Sequence, residues 1–209
     1  MNETNEAKKN TYEPRRDKHD PKNKQPQSSR GNEWLSTLLY IGAAVLVFFL
    51  IRHFVFAPVS VDGDSMVPTL HHQDRLILNK MSSIDRFDIV VFDAPDDPGK
   101  QYIKRVIGLP GDTVEVRDDV LYINGKAYSE DYLDPSQYHL EEWENFTEDF
   151  SLSLLTGIQE VPKDDYFVMG DNRLNSKDSR SFGFVSADEL VGTTNFRIWP
   201  LGDFGKIDQ

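Results

Sequence analysis

Tyr102-Ile-Lys-Arg-Val-Ile-Gly-Leu-Pro-Gly-Asp112 is the stretch from which the fold is read. Its first six residues are rich in β-branched and aromatic types, and a period of two sets Tyr102, Lys104 and Val106 on one face and Ile103, Arg105 and Ile107 on the other. Whichever face is buried, one cation goes with it. Leu109-Pro-Gly-Asp112 then has Pro and Gly where a type II turn needs a fixed φ and a positive φ, so the strand is reversed by a tight turn.

Working outward, the same pattern recurs at Pro58–Val61, Arg75–Asn79, Asp88–Phe92, Thr113–Val116, Val120–Ile123, Tyr166–Met169 and Thr194–Trp199. Asn124-Gly125, after the run that ends at Ile123, is a strong two-residue hairpin signal. Ser186-Ala-Asp-Glu189 reads as a capping box and predicts a helix entering Leu190. Glu130–Glu160 breaks the rhythm, with 9 acidic residues, no Lys or Arg, and scattered aromatics including Tyr132, Tyr138, Trp143, Phe146 and Phe150. It reads as an insertion over about 129–162, solvated or serving recognition. The fold class expected is mainly β, with folded antiparallel sheets.

Charge separates the chain into three regimes. The net −12 is the sum of +2 over Met1–Glu33, zero over Trp34–Ile51, +1 at Arg52 and −15 from His53 onward. An acidic balance argues against nucleic acid, whose phosphates need a basic footprint. Met1–Asn32 has no Leu, Ile, Val, Phe or Trp, so residues 1–33 are expected to be a disordered tail. Trp34–Ile51 is uncharged and would span about 27 Å as a helix, close to the thickness of a hydrocarbon core. A cleaved leader would be shorter and end in a small-x-small site, and a core helix would need an apolar surround on every side. The preferred reading is one transmembrane anchor over 34–56. Lys18, Lys22, Lys24 and Arg30 before it, against Arg52 alone just after it, place the tail in the cytoplasm and residues 57–209 on the outer face.

With no cysteine, disulfide frameworks, thiolate zinc sites and cysteine nucleophiles are excluded. His19, His53, His71, His72 and His139 show no metal-ligand spacing, so no metal is expected. A nucleophile must then come from Ser, Thr, Lys or a carboxylate. Ser65 follows a strand in Val61-Asp-Gly-Asp-Ser-Met-Val-Pro-Thr-Leu70, where Gly63 and Pro68 stiffen the loop; taken alone, such a Ser is an ordinary turn residue. Lys104 on a buried face would be desolvated towards neutrality and able to act as a base, while on an exposed face its stem would simply cover the sheet. Gly170-Asp-Asn-Arg-Leu-Asn-Ser-Lys-Asp-Ser-Arg180 is either a surface loop or a hydrogen-bonded scaffold.

Together, Ser-Met-x-Pro-Thr-Leu from Ser65, the Tyr102–Asp112 stretch and Gly-Asp-Asn-Arg-x-x-Ser-x-Asp-Ser-Arg at Gly170–Arg180 resemble, in order, the boxes of type I signal peptidases, and Asp88–Phe92 looks like the intervening strand box. With one anchor and a short insertion, the chain is similar to the Gram-positive bacterial form. The resemblance implies a membrane-bound serine endopeptidase that removes signal peptides from exported preproteins without cofactor or metal. It implies Ser65 as nucleophile, Lys104 as general base, and Ser176, Asp178, Arg180, Asp171 and Arg173 as supporting residues. Gly63, Asp64 and Met66 fall on the substrate side, with Met66 at the membrane-facing rim or in the substrate pocket. Gly63 stands where the Gram-negative pattern has a Ser hydroxyl, so that oxyanion donor is absent. Two rivals remain. A self-cleaving Ser/Lys repressor would need a DNA-binding domain and an Ala-Gly or Cys-Gly cut site. A membrane-tethered binding module would not need both Ser65 and Lys104.

Overall fold

The computed structural model describes residues 30–141 and 144–207. The tail expected to be disordered over 1–33 therefore lies outside the described residues as far as position 29, as does Trp143 of the acidic stretch.

The first element is a helix, α1 (Arg30–Phe54). It starts ahead of the predicted anchor and stops before Phe56, which instead opens the first strand. Within it Glu33–Arg52 is long and apolar enough to cross a membrane. Its large apolar side chains from Trp34 to Ile51 are 46–72% exposed, which removes the reading of a buried core helix. Apolar exposure on this scale marks a segment made for a membrane or a partner.

The β-domain is built of β1 (Phe56–Ser60), β2 (Arg75–Asn79), β3 (Ile89–Asp93), β4 (Gln101–Gly108), β5 (Val114–Arg117), β6 (Val120–Ile123), β7 (Lys126–Tyr128), β8 (Phe150–Ser151), β9 (Asp165–Met169), β10 (Val185–Ser186), β11 (Leu190–Trp199) and β12 (Gly205–Lys206). Two short helices, α2 (Leu152–Thr156) and α3 (Ser179–Phe182), lie between them. One sheet runs β1-β2-β11-β3-β4-β9-β10, with β12 added to β11, and the other runs β7-β6-β5-β8. The pairings are antiparallel throughout.

The turn after β4 joins the sheets. Gly111 takes φ 85° and Asp112 N–H donates to the Leu109 carbonyl at 3.0 Å. The Asp112 carboxylate then accepts from Leu109 N–H at 2.7 Å, Arg86 at 2.8 Å and Asn124 at 2.7 Å, fixing the angle at which the chain enters the second sheet. Asn124 (φ 53°) and Gly125 (φ 74°) form the β6–β7 hairpin with both central residues left-handed.

Central strands are buried on both faces. Ile107 and Met169 contribute to a core shared with Val114, Leu121 and Phe150 of the second sheet. Val90, Val106 and Val168 face a separate cluster with Val185, and Ile89 and Leu76 pack beneath the Val61–Leu70 loop. The capping box at Ser186 does form, but it closes a single 3₁₀ turn at Ala187–Glu189 rather than an α-helix. Leu190–Trp199 pairs with both β2 and β3, and this sheet pairing overrides the local helix signal.

Candidate active site

Because β4 lies between layers, both of its cations are buried: Lys104 is 4% and Arg105 0% exposed. Lys104 points to the Val61–Leu70 loop, where its Nζ lies 2.6 Å from Ser65 Oγ and donates to the Ile103 carbonyl at 3.0 Å. Desolvation lowers its pKa from 10.5 to about 8; Asp178 and Asp171 act in the opposite sense, and Arg180 adds to the depression. A large fraction of this amine is therefore neutral in mildly alkaline solution.

Ser65 is partly exposed in a cleft of about 420 Å³ lined by Val59, Ser60, Asp62 and Gly63 and by Gln101–Lys104. Asp64, Val91, Asn175 and Lys177 also line it, with Lys177 paired to Asp96. Gly63 adopts φ 87° and its N–H donates to His72 Nδ1 at 3.3 Å. Among the described residues the Ser65 N–H makes no hydrogen bond to a backbone carbonyl. Met66 departs from expectation. It is 1% exposed and packs with Val61, Leu70, Leu76 and Ile89, because the loop turns over Met66–Leu70 (Leu70 N–H to Met66 carbonyl, 2.9 Å) and sets this side chain in the core and not in the cleft lining.

The Gly170–Arg180 segment holds the other two in place. Asn172 N–H donates to the Ser65 carbonyl at 3.0 Å and its side-chain amide donates to the Asp64 carbonyl at 3.2 Å. Asp178 accepts from Arg180 Nε at 2.9 Å, Arg180 Nη2 at 2.8 Å and Gly170 N–H at 3.0 Å. Burial opposes its ionisation, but Arg180 and the Gly170 N–H hold its carboxyl below the ordinary value. The Ser176 hydroxyl is buried and meets no partner at hydrogen-bond geometry among the described residues; Lys104 is bonded to Ser65 and Ile103 instead.

Asp171 and Arg173 face different partners. Asp171 takes Arg105 in a bidentate pair, Nε to Oδ1 at 2.9 Å and Nη2 to Oδ2 at 2.6 Å, and also accepts from Thr69 Oγ1 at 2.6 Å. Arg173 donates to the Gly170 carbonyl, Thr147 and Glu130, each at 3.1 Å. Sequence reasoning missed Tyr132, Thr147 and Glu130, whose local contexts carry no signal. Thr69, Asn172 and Arg105 sat inside the quoted motifs without assigned roles.

A mainly antiparallel β-domain that holds a serine and a buried lysine against one cleft has the build of a peptidase of the serine type. Residues 33–199 match the family described as signal peptidase, peptidase S26. A signal peptidase I of Bacillus caldolyticus is 47% identical, with the match covering 77% of this chain and 89% of the relative. Signal peptidase I S of Bacillus subtilis is 42% identical, over 84% of this chain and 93% of the relative. The crystal structure of a signal peptidase I from Enterococcus faecalis is 47% identical and superposes with a TM-score of 0.51, covering 54% of this chain and 97% of that one. The chain belongs to the signal peptidase family, peptidase S26, and as such is a serine endopeptidase.

Gly170 is irreplaceable on geometric grounds. A Cβ there would stand 2.1 Å from Ser176 Oγ, 2.6 Å from Ser176 Cβ and 2.5 Å from the Ser65 carbonyl oxygen. Gly170→Ala is expected to destabilise the domain by about 1–3 kcal/mol, since a backbone contact must shift. Urea unfolding of the variant beside the wild type checks this; an unchanged midpoint would contradict the close approach.

Proposed function

We propose that this chain is a membrane-anchored peptidase that removes signal peptides from exported preproteins, with Ser65 as nucleophile and Lys104 as general base. The observation that carries the reading is the 2.6 Å contact between Lys104 Nζ and Ser65 Oγ inside a site where the amine is largely desolvated. Neutral Lys104 accepts the Ser65 proton as Oγ attacks the scissile carbonyl, and the ammonium then protonates the departing amine. Water, deprotonated by the same amine, releases the acyl group from Ser65. Among the described residues the Ser65 N–H has no backbone partner, and it supplies one donor to the developing oxyanion. Asn172 fixes the peptide on either side of the nucleophile through the Asp64 and Ser65 carbonyls, so the hydroxyl is presented in one orientation.

The cleft suits an extended peptide. Gln101–Lys104 pair with β3 on one side, whereas β9 pairs with β4 only from Arg105 onward. Among the described residues the other edge of Gln101–Lys104 carries no strand, which leaves it for an added substrate strand. The span Glu33–Arg52 would hold the enzyme in the bilayer, and the Lys/Arg excess ahead of it favours a cytoplasmic N-terminus with the catalytic domain outside. Preproteins are themselves held in the membrane, so confinement of both partners raises their effective concentration. Neither a metal nor a nucleic acid has a part in this chemistry.

The test is cleavage of a radiolabelled preprotein in detergent as a function of pH. Only neutral Lys104 works as a base, so kcat/KM is expected to rise tenfold per pH unit below about 8 and to level off above it. A flat profile from pH 6 to pH 10 would remove Lys104 from that role.

A further inference from the structure

We propose that Tyr132 and Glu130, contributed by the acid-rich segment, are positioning residues for the catalytic machinery. The proposal rests on the Ser65/Lys104 reading above. In-plane, the Arg105 guanidinium donates to both Asp171 oxygens, to the Phe87 carbonyl at 2.9 Å and to Thr69 Oγ1 at 3.3 Å. This arrangement joins the strand that carries Lys104, the loop that carries Ser65 and the segment that carries Asn172. On a face of the guanidinium the Tyr132 ring stacks, 3.8 Å from Cζ to centroid. The ring covers a cation that is 0% exposed and adds the attraction of its π-face.

Tyr132 is itself fixed. Its hydroxyl donates to Glu130 Oε1 at 2.5 Å, and its ring lies 5.8 Å from that of Phe87. Glu130 is held by the fully buried Arg173, whose Nε returns to the Gly170 carbonyl. Two residues of a segment whose composition reads as solvated therefore close a circuit from β4 to the Gly170 loop. Tyr132 is not part of the substrate cleft wall, so losing it should disturb turnover rather than substrate binding.

The experiment compares kcat and KM for preprotein cleavage by the full-length chain in detergent with the melting temperature of each variant. Tyr132→Leu keeps an apolar side chain without a π-face, Tyr132→Phe keeps the ring without the hydroxyl, and Glu130→Gln removes the charge opposite Arg173. Tyr132→Leu is expected to lower kcat about 10- to 100-fold with KM within about twofold, the scale of a misplacement remote from the reacting atoms. Tyr132→Phe should restore kcat to within about threefold of wild type, since the stacking is retained. If Tyr132→Leu does not fold, Glu130→Gln decides, with an expected fall of about tenfold in kcat at unchanged KM. Wild-type kcat in the folded variants, a change confined to KM or melting temperature, or a Phe variant as slow as the Leu variant would each overturn the proposal. Ser65→Ala run alongside separates the two readings, because cleavage by that variant would sink the assignment of the nucleophile itself.

Discussion

Lys104→Met is expected to abolish preprotein cleavage, by at least about 10³-fold, and at the same time to stabilise the folded domain at neutral pH. The loss follows from removal of the base; Ser65→Ala should be equally inactive. The gain in stability follows from linkage. Folding lowers the Lys104 pKa from 10.5 to about 8, so between these values the unfolded chain binds a proton that the folded chain has released. Wild-type stability therefore rises with pH across that window and carries the full cost of the buried ammonium below it. A thioether of similar length carries no such cost. At pH 7 the variant should gain up to about 3 kcal/mol, an advantage that shrinks as pH rises above 8 and is gone near 10.5. Denaturant unfolding at pH 7 and pH 10 measures it. Ser65→Ala should show no such pH-dependent gain, because a hydroxyl does not titrate here. A Lys104→Met chain less stable than wild type at both pH values would mean that packing, not desolvation, dominates at this position.

The strand at Tyr102–Ile107 shows what the amino-acid sequence makes legible. Alternation and the Leu109–Asp112 turn predict β4 and its reversal, because period and turn chemistry are local. Alternation also leaves one cation on each face, and a one-dimensional pattern cannot say which is buried. Both are, since β4 is covered on two sides. Partner identity is harder still. Arg105 and Asp171 are separated by 66 positions and Arg173 and Glu130 by 43, so position in the chain does not tell which partner each of these charges takes. Composition misleads in the acidic segment, where Glu130 counts as one more solvated charge although it is buried against Arg173. At Ser186 a sound local signal is overruled by tertiary pairing, and at Met66 the position implied by the resemblance gives way to the direction in which the loop turns.

Asp171→Ala should be the most disruptive single change among the supporting residues. It strips the Arg105 guanidinium, 0% exposed, of both carboxylate oxygens and leaves Thr69 Oγ1 without its acceptor. Removing one partner of a buried pair leaves an uncompensated charge and costs about 3–5 kcal/mol, a large share of a domain's total stability. The double variant Asp171→Leu/Arg105→Met removes the charge as well, and apolar replacements of similar size often fold as well as the pair they replace. Much of the lost stability should therefore return in the double variant, while cleavage should not, because the Arg105–Asp171–Thr69 link between β4 and the Ser65 loop is then gone. Recovery of both would reduce the ion pair to a packing element. The milder Asp171→Asn adds a sign that can be read from pH. Asp171 raises the Lys104 pKa through its charge, so neutralising it should move the rising limb of the pH–activity curve to lower pH. An unmoved limb in a folded, active Asp171→Asn enzyme would show that the Asp171 field does not reach the catalytic amine.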